Sequence, residues 1–220
     1  MRCAVILSGC GVQDGSEIHE AVTLLLVLSE RGHEAHCFAP DIEQTRVVDH
    51  RHGVQSQEKR NVLTESARIA RGQIQPLDRL NPENFDAILL PGGLGAALNL
   101  SHFASEDDPY DVIPQLSRVL LQAHQRSRIL GFMCIAPVIA AAVFGNQHVK
   151  MTIGDDHHTA QRCENRGAQH VNCDYNQACI DENLKIVSVP AYMKAKNIHE
   201  CYLSAKALVE AVEGLGISGQ

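Results

Sequence analysis

Short, nearly continuous apolar runs alternate along the chain with longer stretches in which apolar and polar residues mix. The runs at 3–7, Glu34–Ala39, 85–90, Ile129–Met133 and 149–153 predict buried strands. The mixed stretches at 16–31, 61–71, 110–126 and 194–213 predict helices, and a further helix leaves Cys134 and runs to about Phe144. Gly32 and Gly72 stand where the first two helices should stop. Residues 171–189 hold one or two more strands, with an antiparallel pair about Asp181-Glu182-Asn183, and 41–57 read as polar and irregular. Repeated strand–helix units predict an α/β fold in one domain, 1–220, whose mostly parallel sheet is covered on both faces. Sites in such sheets lie beyond the carboxyl ends of the strands. That rule singles out the loops at 8–20, 91–99 and 134–138.

Composition narrows the classes of partner. Apolar residues make up 45 % of 220, enough for a substantial core, and the net charge of −7 carries no basic block. An acidic surface argues against nucleic acid and anionic membranes. The first apolar run is too short for a signal-peptide core, and no apolar span of about 20 residues follows. A soluble, cytoplasmic protein is therefore expected. The eight cysteines, at 3, 10, 37, 134, 163, 173, 179 and 201, contain no C-x-x-C pair. They are expected to be reduced thiols, several of them simply small core residues.

One cysteine differs by position. Cys134 lies between a strand and a helix, with Pro137 suited to the first helical turn. Free amides and the helix dipole at such a place favour an anion, which would lower a thiol's pKa and make it a nucleophile. The amides of Ile135 and Ala136 are available to a developing oxyanion. The alternative is a buried apolar thiol between Met133 and Ile135. Gly92 and Gly93 follow the neighbouring strand and would let backbone approach a ligand closely. Asp14 and Glu17 have the spacing of a capping box, and Glu20 lies one turn further along the first helix. A carboxylic acid there would share a proton with the thiol or relay one on a substrate.

Leu90-Pro91-Gly92-Gly93, Cys134-Ile135-Ala136-Pro137 and an acid at the start of the first helix together resemble the ThiJ/PfpI superfamily, whose domain is class I glutamine amidotransferase-like. The segment from Val5 to Glu20, Arg60-Asn61-Val62-Leu63-Thr64-Glu65, Thr152-Ile153-Gly154 and Pro190-Ala191-Tyr192-Met193 resemble its ElbB-type branch. The resemblance implies a flavodoxin-like three-layer sandwich and a homodimer. It implies Cys134 as nucleophile, Glu20 as partner acid, and Gly92, Gly93 and Ile135 as oxyanion hole. Glu17, Cys10, Asn61 and His157 are supporting candidates. The branch is associated with isoprenoid (lycopene) production, and glyoxalase activity has been attributed to it.

The chain departs from the superfamily's hydrolases at Ile135, where they place a histidine. It departs from the amidotransferases at His199-Glu200, where they place a His-x-Glu dyad. Peptide or glutamine hydrolysis is accordingly not expected. The expected activity is a glyoxalase-like reaction on small reactive aldehydes such as methylglyoxal or glyoxal, with no metal, glutathione or other cofactor. The rivals are a redox-sensing or regulatory protein using the same thiol, and an amidotransferase-type hydrolase. Gly9-Cys10-Gly11 imitates a dinucleotide fingerprint, but Asp14 and Glu17 put negative charge where a pyrophosphate would sit. The pairs His33/His36, His50/His52 and His157/His158 read as surface residues rather than metal ligands.

Overall fold

The computed structural model describes residues 1–105 and 108–217. In chain order the elements are β1 (Arg2–Ile6), α1 (Ile18–Glu30), β2 (Glu34–Ala39), β3 (Val47–Asp49), β4 (Val54–Ser56), α2 (Val62–Ile69), β5 (Ile74–Pro76), β6 (Ala87–Leu90), α3 (Leu94–Leu98), α4 (Pro114–Gln125), β7 (Ile129–Met133), α5 (Pro137–Phe144), β8 (Lys150–Met151), α6 (His157–Asn165), β9 (Gln169–His170), β10 (Cys179–Asp181), β11 (Ile186–Val189) and α7 (Ile198–Ile217). Seven strands form one sheet in the order β10-β11-β7-β6-β1-β2-β5. Every neighbouring pair is parallel except β10 and β11, which are antiparallel. This is the flavodoxin-like α/β arrangement.

The central strands explain the apolar runs. β6, β7 and β11 are buried at every residue, as strands covered on both faces must be. α1 and α7 pack together against the sheet, while α4 and α5 pack on β7 and on each other. Among the described residues, no helix is long and apolar enough to cross a membrane.

Several expectations need correction. Residues 41–57 are not irregular throughout: they contain the β3–β4 hairpin, whose Val47 and Val48 are buried. The helix expected from 110 begins at Pro114. Tyr110 is instead a loop residue, fully buried, whose hydroxyl donates to Val138 O at 2.8 Å. The strand expected at 149–153 shrinks to β8 and pairs with β9 outside the main sheet. The helices α3 and α6 were not expected, because the first is short and small-residued and the second is largely polar.

Candidate functional site

The chain turns at once where β7 ends. Cys134 has φ 58°, in the left-handed region that side chains with a Cβ rarely enter. Two hydrogen bonds hold it there. Its N–H donates to Val189 O at the end of β11 (2.9 Å), and the Ala136 N–H donates to Met133 O (2.9 Å). Pro137 then opens α5, where its missing N–H is no loss. The thiol is left at the carboxyl edge of the sheet, in a residue only 8 % exposed.

The loop after β6 closes on it. A Cβ on Gly92 would lie 2.5 Å from the Cys134 Cβ and 2.7 Å from Glu20 Oε2, so no side chain fits between thiol and acid. Gly93 takes φ 92°, and a Cβ there would collide with the backbone of Gly15, Ser16 and Glu17. The Glu17 N–H donates to Gly92 O at 2.9 Å, tying the start of α1 to this loop.

Glu20 is wholly buried. Its Oε2 accepts the Gly92 N–H (2.8 Å), its Oε1 accepts the Tyr192 N–H (3.2 Å), and the carboxyl group hydrogen-bonds the Cys134 thiol. Glu17, not Asp14, is the cap of α1, and its Oε2 accepts the Glu20 N–H at 2.7 Å. The capping box expected from Asp14 and Glu17 is therefore not formed. Asp14 accepts the Val48 N–H at 2.8 Å and fastens the loop to the β3–β4 hairpin. These contacts also dispose of the dinucleotide resemblance, since an acid of the chain itself already occupies the start of α1.

The electrostatics correct the expectation of a thiol with lowered pKa. Burial foremost, then the charge of Glu17, raises Glu20 to about 7, against hydrogen bonds from Cys134, Tyr192 and Gly92 that pull it down. Burial, then the charge and hydrogen bond of Glu20, raises Cys134, while the N–H groups of Gly93 and Ile135 oppose that rise. Two acids in one dry place hold a proton between them, and losing it as well would put two negative charges side by side. Burial, with the adjacent acid, outweighs the helix terminus at Cys134.

The expected residues are thus brought together only in part. Cys134, Glu20, Gly93 and Ile135 converge, with Glu17 behind Glu20. Gly92 is present, but its N–H is taken by Glu20 and is not available to an oxyanion. The Ala136 N–H is taken by Met133 O. Asn61 caps α2, accepting the Thr64 N–H at 2.9 Å and donating to Asp41 at 2.8 Å. Cys10 is half-buried beside Glu65 and Arg68, and burial raises its thiol. His157 is exposed in the first turn of α6. None of these three bonds to Cys134 or Glu20. Of the histidine pairs, His33 bonds Glu213 and His52 bonds Asp49, each at 2.7 Å.

Sequence reasoning missed the Tyr192 amide. It follows Ala191, which has φ 43° and whose N–H donates to Ser204 Oγ at 3.0 Å. Only the Pro190–Met193 motif pointed to the place, because a backbone donor leaves no mark on residue type.

Known proteins share this arrangement's framework. The human glutamine amidotransferase-like class 1 domain-containing protein 3, mitochondrial, is 43 % identical over 221 residues, covering 96 % of this chain and 82 % of the relative. The chain belongs to the glutamine amidotransferase-like class 1 family. A crystal structure of an Ehrlichia chaffeensis isoprenoid biosynthesis protein with an amidotransferase-like domain superposes with TM-score 0.90 at 34 % identity, covering 97 % of this chain and 99 % of that one. A ThiJ/PfpI domain protein from Brachyspira murdochii, at TM-score 0.59 and 13 % identity over 99 % of this chain and 95 % of that one, shares the fold. No protein-family model matches the chain. The human family member is named as mitochondrial, which overturns the expectation of a cytoplasmic protein. Composition is a weak guide to compartment in this amidotransferase-like family.

Proposed function

We propose that the protein is a glutathione-independent, glyoxalase-like enzyme acting on small reactive aldehydes. The observation that carries this reading is the Cys134 thiol hydrogen-bonded to a wholly buried Glu20, with the amides of Gly93 and Ile135 directed at the sulfur. A residue only 8 % exposed admits a small reactant in preference to a peptide.

In this scheme the Cys134 sulfur adds to the aldehyde carbon of a 2-oxoaldehyde. Glu20 accepts the thiol proton as the sulfur adds and passes it to the new alkoxide, giving a hemithioacetal and leaving Glu20 a carboxylate. Glu20 then removes the proton from the former aldehyde carbon and returns it to the adjacent carbon, while the hemithioacetal hydroxyl proton passes to the former ketone oxygen, so that the ketone becomes an alcohol and the hemithioacetal a thioester. The Gly93 and Ile135 amides stabilise the enediolate oxygen between these two steps. Water cleaves the thioester, releasing a 2-hydroxy acid and restoring the thiol. Atoms balance as oxoaldehyde plus water giving hydroxy acid.

Lactate release from methylglyoxal by the wild type, Cys134→Ala and Glu20→Gln is the test. Turnover that vanishes in both variants supports the scheme, and full turnover by Cys134→Ala ends it. Selective oxidation of Cys134 by mild peroxide in a protein with no aldehyde turnover would put redox sensing in its place. The reading includes a homodimer, supported by the exposed apolar stripe Ile18, Val22 and Leu26 on α1. Sedimentation at micromolar concentration checks it, and a monomer refutes that part.

A further inference from the structure

A second thiol site lies outside the Cys134–Glu20 cluster. β9 runs beside β8, and the pairing continues past the strand ends, with the Gln169 N–H donating to Val149 O (2.8 Å) and the Val171 N–H to Met151 O (2.9 Å). Two residues beyond Val171, the Cys173 side chain turns back to the Thr152 hydroxyl. The Thr152 N–H donates to Ser188 Oγ on β11 (2.9 Å), and Ser188 is the cross-strand partner of Cys179 on β10. Thr152 and Ser188 thus join the two sheets beside the thiols, as Lys150 and Asp181 do further along, where the Lys150 N–H donates to Asp181 Oδ2 at 2.9 Å. Cys173 hydrogen-bonds Cys179 and Thr152, and Cys179 hydrogen-bonds Ser188.

We propose that Cys173 and Cys179 are a redox-active dithiol that closes reversibly to an intramolecular disulfide by exchange with a low-molecular-weight disulfide of the glutathione class. The two sulfurs are unequal in the way such exchange requires. Cys173 is half-buried on the exposed 171–178 loop, and Cys179 is buried at the start of β10. The hydrogen bond from Cys179 lowers the Cys173 thiol to about 7, while Cys179 is held up. Cys3, Cys37, Cys163 and Cys201 are all buried, and burial raises each of their thiols. An accessible thiolate backed by a protonated neighbour can attack first and be resolved second.

The Cys173 thiolate attacks one sulfur of the small disulfide, forming a mixed disulfide and expelling a thiolate. Cys179 gives its proton to that leaving thiolate and attacks the Cys173 sulfur. This forms the Cys173–Cys179 bond and releases the second small thiolate, which takes a proton from water. Two electrons pass from the dithiol to the reagent, which departs as two thiols. The sulfurs must approach from hydrogen-bond distance to about 2.05 Å. A groove of about 440 Å³ between Asp174 and Tyr175 on one side and Met193 and Lys194 on the other leaves the loop room to shift.

The experiment uses the intact wild-type protein. It is equilibrated with reduced and oxidised glutathione at increasing oxidised fraction, alkylated and cut with trypsin. Cleavage after Arg166 and Lys185 gives peptide 167–185, which contains Cys173 and Cys179 and no other cysteine. The expected product is that peptide lighter by two hydrogens, unlabelled, without glutathione and restored by dithiothreitol. Peptides carrying Cys163 and Cys201 should stay alkylated. In Cys179→Ala the reaction should stop at a glutathione adduct on Cys173, and that adduct should form roughly threefold more slowly near pH 7 as the thiolate fraction falls. A wild-type peptide that stays doubly alkylated, carries glutathione at equilibrium, or is linked to another cysteine overturns the proposal. The Cys134→Ser variant should give the same peptide as the wild type, which separates this site from the aldehyde chemistry.

Discussion

Glu20 and Glu213 stand at opposite ends of the same sheet and meet opposite fates. Glu213 lies at the amino ends of the strands, where Met1, Asp86, Arg128, Ile129 and Lys185 line an open cavity of about 710 Å³. It bonds Arg31 at 2.8 Å and His33 at 2.7 Å, and these partners, Arg31 foremost, lower its pKa. Glu20 lies at the carboxyl ends with no cation among the described residues paired to it, and burial raises it to about 7. At the open end the acid is paired with Arg31 and His33. The tighter end keeps a proton that a substrate can use. An acid held by backbone amides and a thiol marks the candidate site better than an open cavity does.

Three experiments would break or sharpen this contrast. The largest effect is expected from Glu20→Gln, which should lower aldehyde turnover by about 10²- to 10⁴-fold, the usual weight of a general acid–base group, while Glu213→Gln leaves turnover unchanged. Equal losses would erase the distinction between the two ends.

Next is Gly93→Ala. Its Cβ meets the backbone of Gly15, Ser16 and Glu17 at a positive φ, so a loss on the order of 3 kcal/mol in denaturant unfolding is expected. Unchanged stability would mean that the loop after β6 is not fixed as described.

The third is the pH dependence of stability, where the two acids should act with opposite sign. Glu20 is raised from 4.5 to about 7, so its contribution is fully present below about pH 4.5 and is lost as pH rises through 7. The stability of wild type relative to Glu20→Gln should therefore fall over that window, by on the order of 3 kcal/mol. Glu213 is lowered from 4.5, so its contribution is present above that pH and is lost as pH falls through the lowered value. Glu213→Gln should cost about 1 kcal/mol at neutral pH and progressively less in acid, since the pair is partly exposed. Parallel pH profiles for the two variants would defeat the comparison.

Legibility in the sequence followed the same division between local and distant causes. Strands β2 and β7 agree with the expected spans at both ends, because a chain punctuated by Gly32, Pro40 and Cys134 carries its own boundaries. The β3–β4 hairpin and β8 were misread because each is only two or three residues long, and its pairing depends on a partner elsewhere. At the site, Cys134, Glu20 and the two glycines were visible as residue types at loop ends. The Asp14 cap was misassigned because two acids near the start of α1 compete for the same role, and contact with Val48 decides between them.

By itself the sequence determined the alternation of strand and helix, and hence a parallel sheet with its loops gathered at one end, because side-chain periodicity is a local property. It also determined which residue types stand on those loops. The tertiary structure alone decided that the Gly92 and Tyr192 amides hold Glu20, that burial and this acid raise the Cys134 thiol where a helix terminus alone would lower it, and that Cys173 meets Cys179. Each of these depends on the distance between groups far apart in the chain and on the water excluded between them, and neither quantity is written in any one segment.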